Sequence, residues 1–173
     1  MAPGPMIRFS SPCTLSHRAL AVRLIAEACR LARGEETRDE TSLAFDLRDP
    51  FDAEFVSAFA EIYNNIVLHA YERRSGDIEL AITLAHEPVT GQVAMTVEIR
   101  DSGAAFDPST VPEPDLDSLP EGGMGLHIAR AMLDEVEYEP GPPNLWRLTK
   151  RRRAPESRPA PARASASGRP PAE

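Results

Sequence analysis

The sequence predicts an α+β protein built in two layers, a mixed sheet covered by helices on one face. Three observations predict it. Segments 15–33 and 51–71 repeat apolar residues at helical spacing. Segments 78–85 and 93–100 instead alternate apolar with polar residues, carry several Val, Ile and Thr, and are joined by a short turn. A second hairpin pattern closes the segment that ends at residue 150, so the helices are grouped apart from the strands.

Met6, Ile7 and Phe9 open the chain as a short strand over 6–10, and Pro12 breaks it. The first helix, 15–33, has Leu20, Leu24, Ala28 and Leu31 on one stripe and ends at Gly34. Segment 35–49 is polar, but Leu43, Phe45 and Leu47 alternate and permit a short strand. The second helix, 51–71, carries Phe55, Phe59, Ile62 and Ile66 along one face, and Ser75-Gly76-Asp77 turns the chain into the strand at 78–85. After the strand at 93–100 comes a stretch over 102–122 with four prolines and no periodicity. Unstructured runs of that length in compact domains are uncommon and are usually functional lids or disordered segments. A third helix spans 126–134, and strands at 136–138 and 145–150 flank a turn at 140–143. Residues 151–173 hold only Ala, Pro, Ser, Gly, Arg and Glu and predict a disordered basic tail, which leaves 1–150 as the domain.

Composition narrows the function classes. The chain has a formal charge of −8, while residues 151–173 contribute six Arg and two Glu, a net +4, so residues 1–150 carry −12. A body that acidic is a poor phosphate neutraliser, which argues against direct nucleic-acid binding. The longest runs without a charge, 62–71 and 88–97, are ten residues, against about 20 needed to cross a bilayer. With no signal-like N-terminus and two cysteines, Cys13 and Cys29, at no metal or redox spacing, the expectation is a cytoplasmic protein off the membrane.

Three groups of residues carry chemistry. Glu61, Asn65 and His69 fall four apart on the second helix and share a face. A carboxylate there can serve as general base, and an amide oxygen can ligate a hard cation, although polar helix faces also produce such pairs. Asp101-Ser102-Gly103 follows a strand directly; it is an ordinary turn or a pocket floor whose Asp accepts from an exocyclic amine while Gly103 lets the backbone pass a flat ligand. Gly122-Gly123-Met124-Gly125 precedes the third helix and is a hinge or a phosphate cradle; it matches neither the P-loop nor the dinucleotide fingerprint.

Together and in this order the three resemble the GHKL ATPase superfamily. Glu61-Ile-Tyr-Asn-Asn65-Ile-Val-Leu-His69-Ala-Tyr is similar to its N-box, Asp101-Ser-Gly103 to its adenine-binding G1 box, and Gly122-Gly-Met-Gly125 to its G2 box. His-Ala-Tyr after the N-box, and Leu119-Pro-Glu-Gly-Gly-Met-Gly-Leu leading into Met132-Leu-Asp-Glu-Val-Glu-Tyr, resemble the anti-sigma-factor serine/threonine kinases of the RsbW and SpoIIAB type. The resemblance spans 6–150. It implies a Bergerat α/β sandwich that binds ATP with Mg²⁺, holds a sigma factor inactive, and phosphorylates a Ser or Thr of a STAS-type antagonist (partner switching). Relatives often form homodimers, which the resemblance alone suggests here.

Carried over residue by residue, Glu61 is the catalytic residue that orients or deprotonates the acceptor hydroxyl, and Asn65 ligates Mg²⁺. Asp101 accepts from the adenine amine and Gly103 lies beside the base. Gly123, Met124, Gly125 and Leu126 bind near the phosphates, and His69 either faces the site or bonds to the sheet. Segment 104–123 has five acidic residues but no Lys or Arg, where some relatives place a base before the G2 glycines; Arg73 and Arg74, or a partner, could supply that charge from outside. Gly141-Pro-Pro-Asn144-Leu-Trp stands where these ATPases often show a Gly-Thr pair that contacts phosphate.

The alternative to a kinase is an ATP-binding switch that binds partners without transferring phosphate, which the base-free lid motivates. The catalytic domain of a histidine kinase ranks third. No pair of long helices bears a phosphoacceptor, and His17 lacks the acidic residue expected after it.

Overall fold

The computed structural model describes residues 6–34, 48–107 and 124–152. In chain order these form β1 (Ile7–Pro12), α1 (Leu15–Ala32), α2 (Pro50–Asn65), a π-helical turn (Ile66–Ala70), β2 (Asp77–His86), β3 (Val93–Asp101), α3 (Gly125–Met132), β4 (Glu135–Glu139) and β5 (Asn144–Arg152). The strand expected within 35–49, most of the proposed lid and the tail beyond Arg152 lie outside the described residues.

The five strands form one sheet in the order β1-β2-β3-β5-β4. All four pairings are antiparallel, so the α+β class holds while the sheet is antiparallel rather than mixed. The reason is connectivity: β2–β3 and β4–β5 are tight hairpins, which only antiparallel pairs allow. One face packs Ile78, Leu80, Ile82, Met95, Val97, Ile99, Trp146 and Leu148 into a single core with the helices. The other face is charged. Arg147 reaches Glu137 at 2.7 Å, and Arg100 reaches Glu98 at 2.8 Å.

Local chemistry sets the helix ends. Thr14 caps α1 by accepting from the His17 amide. Asp49 accepts from the Phe51 amide at 2.9 Å with Pro50 at the first position of α2, the pairing that favours a helix start. On α2 the expected stripe of Phe55, Phe59, Ile62 and Ile66 is fully buried. On α1 the expected Ala28 is buried and Leu24 packs against the core, but the face is centred one residue on, at Ala21, Ile25, Cys29 and Ala32, and Leu20 is 52% exposed. Small side chains let α1 lie close to α2 and the sheet, and a reading that weights Leu misses this.

β5 runs two residues past the expected boundary at Lys150. Arg152 donates to Asp49 Oδ2 at 2.7 Å and sits 5.8 Å over the Phe51 ring, so the strand end is clipped to the start of α2. Beside it Arg33 and Asp52 form a buried ion pair. This end of α2 is opposite the end that bears Glu61 and Asn65.

Candidate functional site

Helix α2 presents Glu61 and Asn65 one turn apart on the side against which α3 begins. A Cβ placed on Gly125 would lie 2.8 Å from Glu61 Oε2 and 3.3 Å from Asn65 Nδ2, so the glycine is what allows this approach. Glu61 is half-buried and has neither an ion pair nor a hydrogen bond with any described residue. A carboxylate left without a cation remains available as a proton acceptor. Met124, at the N-cap of α3, makes no side-chain capping bond to the first amides of the helix.

The chain continues from Asn65 into the π-helical turn, closed by the Tyr71 amide donating to Ile66 carbonyl oxygen at 3.0 Å. Such turns recur at functional sites. This one delivers Ala70 and Tyr71 to the end of β3. The Ala104 amide donates to the Ala70 carbonyl at 2.8 Å, and a Cβ on Gly103 would fall 2.7 Å from that oxygen. The Tyr71 hydroxyl accepts from the Ser102 amide at 2.9 Å and donates to the Asp77 carbonyl at 2.6 Å. Burial, with Asp101 nearby, holds the Tyr71 phenol protonated above its ordinary range.

Asp101 is 2% exposed at the end of β3. Its Oδ1 accepts from the Gly103 amide at 2.9 Å and from Asn144 Nδ2 at 2.9 Å. No described residue bonds Oδ2. Asn144, at the start of β5, is buried too. It also donates Nδ2 to the Gly103 carbonyl at 3.1 Å and accepts from the Gly141 amide at 3.1 Å. Phe106 leaves this loop over Trp146 and Tyr138, with its amide donating to the Tyr138 hydroxyl at 2.8 Å.

Two separate contacts tie the sequence groups to α2 and the turn that follows it. Gly125 touches Glu61 and Asn65, and the loop after Asp101 touches the turn that follows Asn65. Gly103 serves close approach to the Ala70 backbone, a need that does not depend on a ligand. The Leu126 side chain lies in the core at 3% exposure, leaving only its backbone for the site, while Met124 is half-buried. Gly123 lies outside the described residues. His69 is exposed on the π-helical turn and bonds to no described residue, so a hydrogen bond to the sheet is absent among them.

Arg74 borders a depression with Ala70, Tyr71, Ser102, Gly103 and Ala104, though Glu72 engages it at 2.9 Å. Arg73 borders a neighbouring groove beside Cys13 and Thr14. Glu72 and Arg73 both hold positive φ, 48° and 62°. Burial pushes the Cys13 and Cys29 thiols up to about 12, which keeps them protonated and unreactive. No group of three or more His, Cys, Asp or Glu able to hold a metal occurs among the described residues. The Asn65 amide oxygen is a group here that could ligate Mg²⁺, an ion that commonly takes few protein ligands beside phosphates and water. The reading of the sequence missed Asn144, Tyr71 and Phe106; a buried Asn directly after the turn at 140–143 was the one available signal.

Residues 12–150 match the histidine kinase-like ATPase domain family. Among curated proteins, the serine-protein kinase RsbW of Bacillus cereus strain AH187 and that of Bacillus thuringiensis subsp. konkukian strain 97-27 are each 27% identical over 89 residues. Those 89 residues are 46% of this chain and 51% of either relative, so the chain spans about half the length of the curated relatives it matches. Among solved structures, the histidine kinase domain of the Erythrobacter litoralis EL346 blue-light activated histidine kinase aligns with a TM-score of 0.39 and 18% identity. It covers 77% of this chain and 60% of that one.

Proposed function

The chain belongs to the histidine kinase-like ATPase domain family, and from that premise we propose that it binds ATP and transfers the γ-phosphate to a serine or threonine hydroxyl of a small partner protein. The observation that carries the reading is that Gly125, at the start of α3, lies against both Asn65 and a Glu61 that has no partner among the described residues. Asp101 would receive the adenine amine on Oδ2, and a 6-oxo purine would present an acceptor to an acceptor. The α3 amides and the backbone at Gly125 would cradle the phosphates. Glu61 would take the acceptor hydroxyl's proton as its oxygen bonds to the γ-phosphorus and the bond to the β-phosphate oxygen breaks, releasing ADP. Mg²⁺ held through Asn65 would neutralise charge on the phosphates.

The RsbW similarity supports a sigma factor as the protein held inactive and a STAS-type antagonist as the phosphate acceptor; a homodimer is proposed beside them as the working assembly. The curated similarity covers half of those proteins, so these partners are part of the proposal. No helix among the described residues is long and apolar enough to cross a membrane, in keeping with a cytoplasmic setting.

The second reading, a nucleotide-dependent binding switch without transfer, is favoured by one feature. No Lys or Arg occurs in segment 104–123 to meet the γ-phosphate. One experiment separates the two. Purified protein, wild type or Glu61→Ala, is incubated with γ-labelled ATP and lysate from cells lacking it. A small labelled protein that requires Glu61 supports the kinase. ATP binding with no Glu61-dependent label supports the switch.

A further inference from the structure

Asn144 is the residue through which the β4–β5 hairpin reaches the Asp101 loop, and both ends of its amide are committed. Asp101 Oδ1 and the Gly103 carbonyl are acceptors, whereas the Gly141 amide is a donor. Only the orientation with Nδ2 toward Asp101 satisfies all three, which fixes the side chain without reference to any ligand. The Gly103 amide shares Oδ1, so two donors hold that oxygen, and Oδ2 has no described partner.

We infer that Asn144 is a positioning residue for base recognition: by donating to Asp101 Oδ1 it holds the carboxylate oriented so that Oδ2 is the oxygen left without a described partner, which selects a purine carrying an amino group over one carrying a carbonyl. The assignment rests on the reading of Asp101 as the purine contact. Asn144 itself touches no substrate. It acts by denying Asp101 the rotation that would turn Oδ2 away from the base.

Two substitutions test it, with binding of ATP and ITP followed by calorimetry and folding checked by thermal melting. Asn144→Ala removes the donor, and the preference for ATP over ITP is expected to fall about 10- to 100-fold. Asn144→Asp is isosteric and brings a second carboxylate against the first. Repulsion displaces Asp101 while both are ionised, but one shared proton recreates a donor to Oδ1. ATP binding by Asn144→Asp, taken as a ratio to wild type measured at the same pH, is therefore expected to recover as pH is lowered from about 8 to about 5. A buried residue with only a structural role would alter melting but produce neither the changed ATP-to-ITP ratio nor the recovery in acid. Wild-type ATP preference with folded variants that retain it, and no recovery for Asn144→Asp, overturns the assignment. Absence of ATP binding by the wild type overturns the site reading first, and this assignment with it. If Asn144→Ala does not fold, the acid recovery of Asn144→Asp decides alone.

Discussion

Gly125 lies so near Glu61 that a single methyl group on its Cα would come within 2.8 Å of the Oε2 oxygen. That spacing joins two segments more than sixty residues apart in sequence and makes the glycine a condition for the position of the carboxylate. Gly125→Ala is expected to push Glu61 aside and lower phosphate transfer on the order of 100-fold, the usual cost of a displacement near 1 Å at reacting groups. Single-turnover transfer from γ-labelled ATP measures it. Unchanged transfer by a folded variant would separate Gly125 from the site.

Glu61→Gln keeps the shape of the side chain and removes its basicity. ATP affinity should stay within about twofold of wild type, while transfer falls about 100- to 10,000-fold, the range for a general base. Calorimetry and initial transfer rates give the two numbers separately. A matching loss in both would mean that Glu61 binds nucleotide and does not move the proton.

Asp101→Asn exchanges one acceptor edge for an amide that Asn144 and Gly103 already oppose with donors. ATP binding should weaken about 10- to 100-fold, the worth of a hydrogen bond to a charged group. Equilibrium calorimetry on the folded variant is the check, and unchanged affinity removes Asp101 from base recognition.

The boundary of the domain can be placed by truncation. A chain ending at Arg152 keeps the bonds of Arg152 to Asp49 and of the Arg151 amide to Asp134, whereas one ending at Lys150 loses both. The shorter chain is expected to be less stable by about 1–2 kcal/mol, which is several degrees in melting temperature. Equal melting of the two chains would show that the last two residues of β5 contribute nothing.

Asp49 also makes stability depend on pH. Burial opposes its charge, but the hydrogen bond and charge of Arg152 and the Phe51 amide prevail and hold its carboxyl below the usual range. A depressed carboxyl contributes stability above its unfolded value, near 4, and loses it as pH falls through the folded value. Asp49→Ala should therefore cost about 1 kcal/mol at neutral pH, with the difference from wild type narrowing below about pH 4. Thermal melts of both proteins at neutral and acid pH test the sign.

Most of the fold was legible because periodicity reports burial directly. The α2 stripe, both hairpins and the start of α3 follow from it within a few residues. The face of α1 was misread because its buried side is made of Ala21, Ala28, Cys29 and Ala32 around Ile25, and small residues carry little hydrophobic signal. The π-helical turn was invisible, since one extra residue per turn leaves no mark on composition. At the site, Glu61, Asn65 and Gly125 were visible as spacing on a helix and a glycine run, and the structure brings them together. Asn144 was not, because its partners lie forty residues back in the chain and a lone Asn beside prolines reads as part of a turn.

The chain holds one tryptophan, Trp146, and the contacts around it give that residue a use. It is 4% exposed, with ring centres 4.5 Å from Tyr138 and 5.9 Å from Phe106, and it pairs across the ladder with Ile99, two residues before Asp101. Any rearrangement of the loop that Phe106 anchors would change the surroundings of the indole. The protein thus carries an unlabelled optical probe beside its own loop, and its emission can be followed in real time, in every variant, without attaching a dye.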